Sequence, residues 1–311
     1  MALAVEIRDL RKRYSGGVEA LLGINLEVPE GEFFGLLGPN GAGKTTTIGI
    51  TTGLVRPSSG TVQVMGHDVV TDFRAARRCI GLAAQELNFD WFFPLEDLMV
   101  FQAGYYGITA ASVRERALHL LDEFGLADKR GVKPRELSGG MKRRFQIARS
   151  LVHDPDILIL DEPTAGVDVE LRHMLWDYLT RLNREGKTII LTTHYIEEAE
   201  MLCERVAIID RGQIITIGSP ATLVAGQNRD GLVIDIEGDG TAAAAALDGY
   251  DLTREEGRLT VTVSRPELQI ADIVNRVTAA GATVQDLTIH RTTLEDVFMS
   301  LTGHSIDEQG R

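Results

Sequence analysis

The stretch Gly38-Pro39-Asn40-Gly41-Ala42-Gly43-Lys44-Thr45 sets glycines, a lysine and a hydroxyl at the spacing of a phosphate cradle. The glycines let the backbone turn N–H groups toward phosphate oxygens, and a helix N-terminus adds partial positive charge behind them. Lys44 supplies a full charge for the β- and γ-phosphates of a nucleotide. Thr45 is placed to ligate a Mg2+ that bridges them, and Thr46 offers a further backbone donor. A Gly-rich turn alone would not require Lys and Thr in register behind it.

A second anion site follows well along the chain. In Leu137-Ser138-Gly139-Gly140-Met141, a hydroxyl and bare amides open a helix that continues as Lys142-Arg143-Arg144. One triphosphate does not need two such loops so far apart, so the economical solution is that Ser138, Gly139 and Gly140 meet the γ-phosphate held by another copy of the chain. Ile157-Leu158-Ile159-Leu160-Asp161-Glu162-Pro163 is an aliphatic run ending in two carboxylates, as for a strand covered on both faces. At the C-terminal edge of such a sheet, Asp161 can hold Mg2+ and Glu162 can polarise an attacking water. Lys187 to His194 is a similar run, which makes His194 a candidate γ-phosphate contact, although a lone histidine is more often structural. Gln85 ends another short apolar run; it can ligate Mg2+ or position water, or it is a generic polar residue closing a strand. Tyr14 can stack on a base or be a surface tyrosine.

These groups need elements to position them. Phe33 to Leu37 reads as the buried strand before the phosphate loop, and Thr45 to Gly53 as the helix after it. Leu3–Leu10 and Ile24–Val28 alternate as an antiparallel edge. Gly60–Met65 reads as a strand, Arg74–Arg78 as a helical turn, and Val206–Asp210 with Gln213–Ile217 as a closing hairpin around Arg211-Gly212. Residues 95–152 lack strand alternation and read as helices over Leu95–Tyr106, over Ser112–Phe124 with Ser112 as the cap, and from near Ser138. The aromatic cluster Phe89 to Phe93 suits either core packing or a partner surface.

With 311 residues, 44% hydrophobic and 25% charged, the chain can bury a large core with one large domain and a small one. A net charge of -13 opposes binding to nucleic acid or anionic lipid, so membrane contact is expected only through protein. Cys79 and Cys203 lack the paired spacing of a zinc ribbon, and no apolar run spans a bilayer. A soluble, unexported protein of the reducing cytosol is expected.

With these residues in place, the chain resembles the ATP-binding subunits of ABC transporters over about residues 3–220. The phosphate loop, Gln85, Leu137-Ser138-Gly139-Gly140, Asp161-Glu162, Ala165-Gly166-Val167-Asp168 and His194 stand in that family's order. The resemblance implies an α/β fold, a P-loop NTPase cassette with mixed sheet core, antiparallel edge and helical subdomain (about 86–155) within residues 1–222. It implies ATP and Mg2+ as cofactors, Tyr14 stacked on adenine, Glu162 as catalytic base, Lys44, Gln85 and His194 at the reacting phosphate, and Asp168 coupling two sites. It also implies a homodimer with two ATP sites. Leu137 to Arg144, Thr192-Thr193-His194-Tyr195 with Glu197-Glu198-Ala199-Glu200, and Leu294-Glu295-Asp296-Val297-Phe298 are similar to drug-resistance and nodulation-type exporter ATPases, which serve ABC-2 type permeases. That places the chain peripherally on the cytoplasmic side of the cell membrane, with residues 86–110 meeting the permease. Met141 replaces a common Gln, and Ala-Gly-Val-Asp replaces Ser-Ala-Leu-Asp. The alternative, a soluble ABC-type ATPase acting on ribosomes or DNA, is opposed by the net acidity and the single cassette.

Beyond about Leu223 the pattern changes. Leu232–Glu237, Leu259–Ser264 and Thr283–His290 alternate like strands, and Thr241–Leu247 and Glu267–Ala280 read as helices. With Tyr250–Thr253 as a strand, residues 223–311 become a small α+β domain of ferredoxin-like order βαββαβ.

Overall fold

The computed structural model describes residues 2–227, 230–238, 240–264 and 266–306; residues 307–311 of the expected C-terminal domain lie outside them. The chain divides into two compact units, the first over Met1–Ser219 and the second over Pro220–Ser305.

In the first unit the order is β1 Leu3–Arg13, β2 Glu19–Pro29, β3 Phe33–Leu37, α1 Lys44–Thr51, β4 Ser59–Val64, β5 His67–Asp68, α2 Phe73–Arg78 and β6 Ile80–Ala83. Three helices follow, α3 Leu95–Tyr105, α4 Ala110–Glu123 and α5 Gly139–Ser150. The unit closes with β7 Ile157–Asp161, α6 Val169–Arg184, β8 Thr188–Thr193, α7 Ile196–Leu202, β9 Arg205–Asp210 and β10 Gln213–Gly218.

The expected antiparallel edge is in fact a separate sheet of order β2-β1-β4-β5. It forms because Val5, Ile7, Leu10, Leu21, Ile24, Leu26 and Val28 present one apolar face, which packs with Phe34, Ile48, Ile159 and Ile209 of the other layer. Asp9, at φ 43°, bulges β1 so that Ile7 and Leu10, three residues apart, both reach the core. The second sheet, β10-β9-β3-β8-β7-β6, is parallel from β9 to β6, with β10 antiparallel at its rim. Its central strands β3, β7 and β8 are buried along their whole length, which is why their sequences are apolar without alternation.

Two boundaries differ from the sequence reading. Helix α4 is capped by Thr109, whose side chain accepts from the Ser112 amide at 3.4 Å, so Ser112 is its third residue and not its cap. Helix α1 starts at Lys44 and stops at Thr51, where Arg77 donates to the Gly53 carbonyl at 2.5 Å. The aromatic cluster is divided between both readings. Phe89 is buried with its ring centroid 5.3 Å from that of Phe145, whereas Trp91, Phe92 and Phe93 are exposed.

The second unit contains α8 Pro220–Gln227, β11 Asp230–Glu237, α9 Gly240–Ala246, β12 Asp251–Glu255, β13 Arg258–Val263, α10 Pro266–Ala279, β14 Thr283–His290 and α11 Leu294–Thr302. From β11 to β14 the order is βαββαβ in one antiparallel sheet, β12-β13-β11-β14, and we read it as ferredoxin-like. Leu232, Ile234, Leu259 and Val261 of the sheet pack with Ala243, Ile273 and Val277 of α9 and α10.

Ile159 lies at the centre of the first core with no exposed surface. Ile159→Ala is expected to destabilise the first unit by about 2–5 kcal/mol, read as a lower urea midpoint at unchanged slope.

Candidate active site

The parallel register brings the chemistry to one edge. Leu37 pairs with Thr193 and Asp161 with Thr192, so β3, β7 and β8 end level with one another, and β6 pairs beside β7. The residues that leave these strands are Gly38, Glu162, His194 and the Ala84-Gln85 step, and this carboxyl edge is where open α/β sheets bind ligands.

The phosphate loop owes its shape to two glycines. A Cβ on Gly38 would lie 2.2 Å from the Ile209 carbonyl oxygen, and Gly43 adopts φ 112°, where a Cβ would lie 2.8 Å from Leu21 Cδ2. Pro39 and Ala42 are buried, while Asn40 and Gly41 are exposed at the rim. The amides of Lys44, Thr45 and Thr46 have no acceptor among the described residues, as expected for the first turn of α1, and form a ready anion cradle. Lys44 is buried; its Nζ donates to the carbonyls of Gly38 at 2.5 Å and Pro39 at 3.2 Å and lies 3.5 Å from Glu162 Oε1. Burial lowers the Lys44 pKa against the attraction of Glu162. Tyr14 stands over this turn, its hydroxyl 3.4 Å from Thr46 Oγ1 and its ring under Lys12 Nζ at 4.8 Å.

Glu162 is the centre of the cluster. It is 6% exposed and its backbone takes φ 48°, a left-handed conformation that a glutamate adopts only where surrounding structure enforces it. Its amide donates to the Thr192 carbonyl at 3.0 Å, which fixes the turn. Gln85 Nε2 donates to Glu162 Oε2 at 3.0 Å. His194 Nδ1 lies 3.2 Å from Glu162 Oε1 but off the line that a hydrogen bond requires, so the two are electrostatic neighbours. The His194 ring first, and then the Lys44 ammonium, hold the Glu162 carboxyl below the usual carboxylate range against the opposing effect of burial. Asp161 is buried and accepts a hydrogen bond from the Thr192 hydroxyl.

Ser138, Gly139, Gly140 and Asp168 do not join this cluster. Ser138 caps α5, accepting from the Met141 amide at 3.3 Å, and Gly140 leaves room for Leu171, whose Cδ2 would sit 2.7 Å from an added Cβ. Asp168 caps α6 by accepting from the Leu171 amide at 2.9 Å, which is a local reason for an aspartate there.

Two further residues hold the site, and the sequence reading missed both. Arg143 is buried and donates to the carbonyls of Ala84 at 2.8 Å, Pro163 at 2.6 Å and Asp161 at 3.0 Å, and to that of Glu162. Glu198 is fully buried and accepts from Thr193 Oγ1 at 2.6 Å, Trp176 Nε1 at 3.4 Å and the Thr164 hydroxyl. In the sequence Lys142-Arg143-Arg144 only continues the helix that opens at Ser138, and nothing local distinguishes Glu198 among the glutamates of α7.

A phosphate loop, a strand-end carboxylate pair and a histidine assembled on a parallel sheet define a nucleotide-hydrolysing ATPase. The family model described as ABC transporter matches residues 21–165. "Nod factor export ATP-binding protein I" of Ralstonia nicotianae is 38% identical over 305 residues, covering 97% of this chain and 94% of that protein. Its namesake in Burkholderia orbicola is 40% identical over 310 residues, covering 98% of each. A dimeric ATP-binding cassette solved in a post-hydrolysis state with ADP and Pi superposes with a TM-score of 0.64 at 29% identity, over 69% of this chain and 98% of that one. The chain belongs to the ATP-binding proteins of ABC transporters, and it hydrolyses ATP.

Because the Glu162 pKa is lowered from its ordinary 4.5, its contribution to stability is complete above that value and is lost as pH falls through the folded-state pKa. The stability difference between wild type and Glu162→Gln is therefore expected to be constant near neutrality and to move against the wild type in acid. Urea titrations of both proteins from pH 7 downward check this.

Proposed function

We propose that this chain is the ATP-hydrolysing subunit of an exporter, working as a homodimer on a separate ABC-2 type permease at the cytoplasmic face of the membrane. The observation that carries the reading is the Glu162 carboxylate, buried, ionised and held by Gln85, Lys44 and His194 beside the phosphate cradle. The export names of the relatives that match along nearly the whole chain supply the transport context. The dimeric cassette among the solved structures supplies the assembly. No helix among the described residues is long and apolar enough to cross a membrane, so membrane contact falls to a partner. The exposed Trp91, Phe92, Phe93 and Phe101 in residues 86–110 are the surface we assign to that contact.

In this reading the amides of Lys44, Thr45 and Thr46 and the Lys44 ammonium bind the β- and γ-phosphates, and Tyr14 stacks on adenine. Thr45, Gln85 and Asp161 are the residues that would hold Mg2+. The set fits: all three offer hard oxygens, Thr45 is exposed, and Gln85 donates to Glu162 through nitrogen, which leaves its carbonyl oxygen for the ion. Bound there, the ion would neutralise charge on the phosphates. Glu162 accepts a proton from the attacking water, oriented by the Gln85 hydrogen bond. When phosphate draws Lys44 away, the carboxylate loses a cation and its basicity rises, which suits a general base. Ser138, Gly139 and Gly140 close the site of the partner copy, with Asp168 beside them. ATP bridging two subunits favours the closed dimer only to the extent that it binds that state better.

Glu162→Gln keeps the shape and loses the base. It is expected to lower kcat by roughly 10²–10⁴-fold with ATP affinity preserved, and to accumulate an ATP-bound dimer in size-exclusion chromatography. Turnover within a few-fold of wild type would contradict the assignment.

A further inference from the structure

Helix α5 is capped by Ser138, at the end assigned above to the partner's ATP, yet its side chains grip both loops of the chain's own catalytic cluster. Arg143, one turn along, spends its guanidinium on backbone carbonyls from two separate segments. On one side are Asp161, Glu162 and Pro163, around the catalytic carboxylate, and on the other is Ala84, next to Gln85. Gln146, three residues on, donates through Nε2 to Ala84 at 2.9 Å and Glu86 at 2.8 Å, and its Oε1 accepts from Arg143 at 2.7 Å. Arg149, a further turn along, donates to Asn88 at 3.0 Å. One face of α5 thus holds residues 84–88, and Arg143 is the α5 side chain that also grips the Glu162 turn, beside the direct Gln85–Glu162 hydrogen bond.

Every hydrogen bond that Arg143 makes among the described residues goes to a carbonyl or amide oxygen, while Asp161, Glu162 and Glu198 attract its charge from nearby. A buried guanidinium satisfied by carbonyls alone is costly to move, since any displacement strips hydrogen bonds from a charge in a poorly solvated place. Helix and loops therefore shift together. Lysine in this position would offer a single point charge and could not span both segments as the planar fork does.

We propose that Arg143 is a positioning residue that ties the geometry of Gln85 and Glu162 in a subunit's own ATP site to occupancy of the partner's site at Ser138–Gly140. This rests on the head-to-tail dimer proposed above. The consequence is that two ATP molecules act on each catalytic centre, one directly and one through α5.

The experiment isolates the second path. A mixed dimer of one Lys44→Ala chain with one tagged Glu162→Gln chain is formed with ATP; the Lys44→Ala chain then meets nucleotide only through Ser138–Gly140. Hydrogen exchange is measured in that chain. Slowing at residues 139–141 marks the dimer, and the proposal expects exchange at 84–88 to slow with it by about fivefold or more, the lower range of coupling between sites. In a Lys44→Ala/Arg143→Lys chain the slowing at 139–141 persists and that at 84–88, now carried by Gln146 and Arg149 alone, is clearly reduced. Residues 84–88 are read because they lie away from Asp168, which could otherwise carry the signal. Two results overturn the proposal while leaving the dimer intact: slowing confined to 139–141 in the chain that keeps Arg143, or equal slowing at 84–88 whether or not Arg143→Lys is present. No slowing at 139–141 removes the dimer and the proposal with it. Unchanged thermal midpoints establish that the variants are folded, and Arg143→Gln replaces Arg143→Lys if that variant melts early. On the homodimer the same substitution is expected to bring the Hill coefficient for ATP toward 1, an effect that loss of stability alone does not produce.

Discussion

A carboxylate that is 6% exposed stays ionised only where neighbours offset the loss of water, and the first unit is arranged to supply them for Glu162. Lys44 comes from the phosphate loop after β3, His194 from the end of β8 and Gln85 from the end of β6, three separate places in the sequence. They converge because the parallel strands end level with one another, which requires β3, β8 and β7 to be buried on both faces. Removing the register would strand a buried charge, so fold and chemistry depend on the same pairing.

Backbone restraint does comparable work. The left-handed φ of Glu162 is held by the Thr192 carbonyl on one side and by Arg143 on the other. Thr192 also donates to Asp161, while its neighbour Thr193 donates to the buried Glu198. The groups we propose act on ATP are thus fixed by side chains outside the proposed reacting set. Preorganisation of this kind is what makes electrostatic stabilisation effective, because little reorganisation remains for the moment of reaction.

What the sequence disclosed follows from which interactions are local. The phosphate loop is legible because its glycines, Lys44 and Thr45 are contiguous, and Asp161-Glu162 because an unbroken aliphatic run announces a covered strand. The βαββαβ order of the second unit follows from strand alternation and two helical segments once Tyr250–Thr253 is taken as a strand, and a strand stands there at Asp251–Glu255. The partition of strands into two sheets was not, since Leu3–Arg13 looks the same whether it edges one sheet or centres another. Arg143 and Glu198 were missed for a related reason. Most of their partners are backbone carbonyls, hydroxyls and an indole N–H that the fold delivers from distant positions, and no residue pattern marks a carbonyl as an acceptor. Gln85 was readable as a strand-end polar group, but its hydrogen bond to Glu162, 77 positions away, could only come from structure.

The central claim is that an ATP site on a chain with no described helix long and apolar enough to cross a membrane drives a process in a membrane partner. The most direct measurement is tagged recovery of this chain from detergent-solubilised native membranes, with mass spectrometry of what accompanies it and ATP hydrolysis assayed on the same eluate. The account predicts a polytopic permease in stoichiometric amount and hydrolysis that Glu162→Gln lowers by orders of magnitude without releasing the partner. Recovery from the soluble fraction alone, with ribosomal proteins or DNA as the companion, would contradict it.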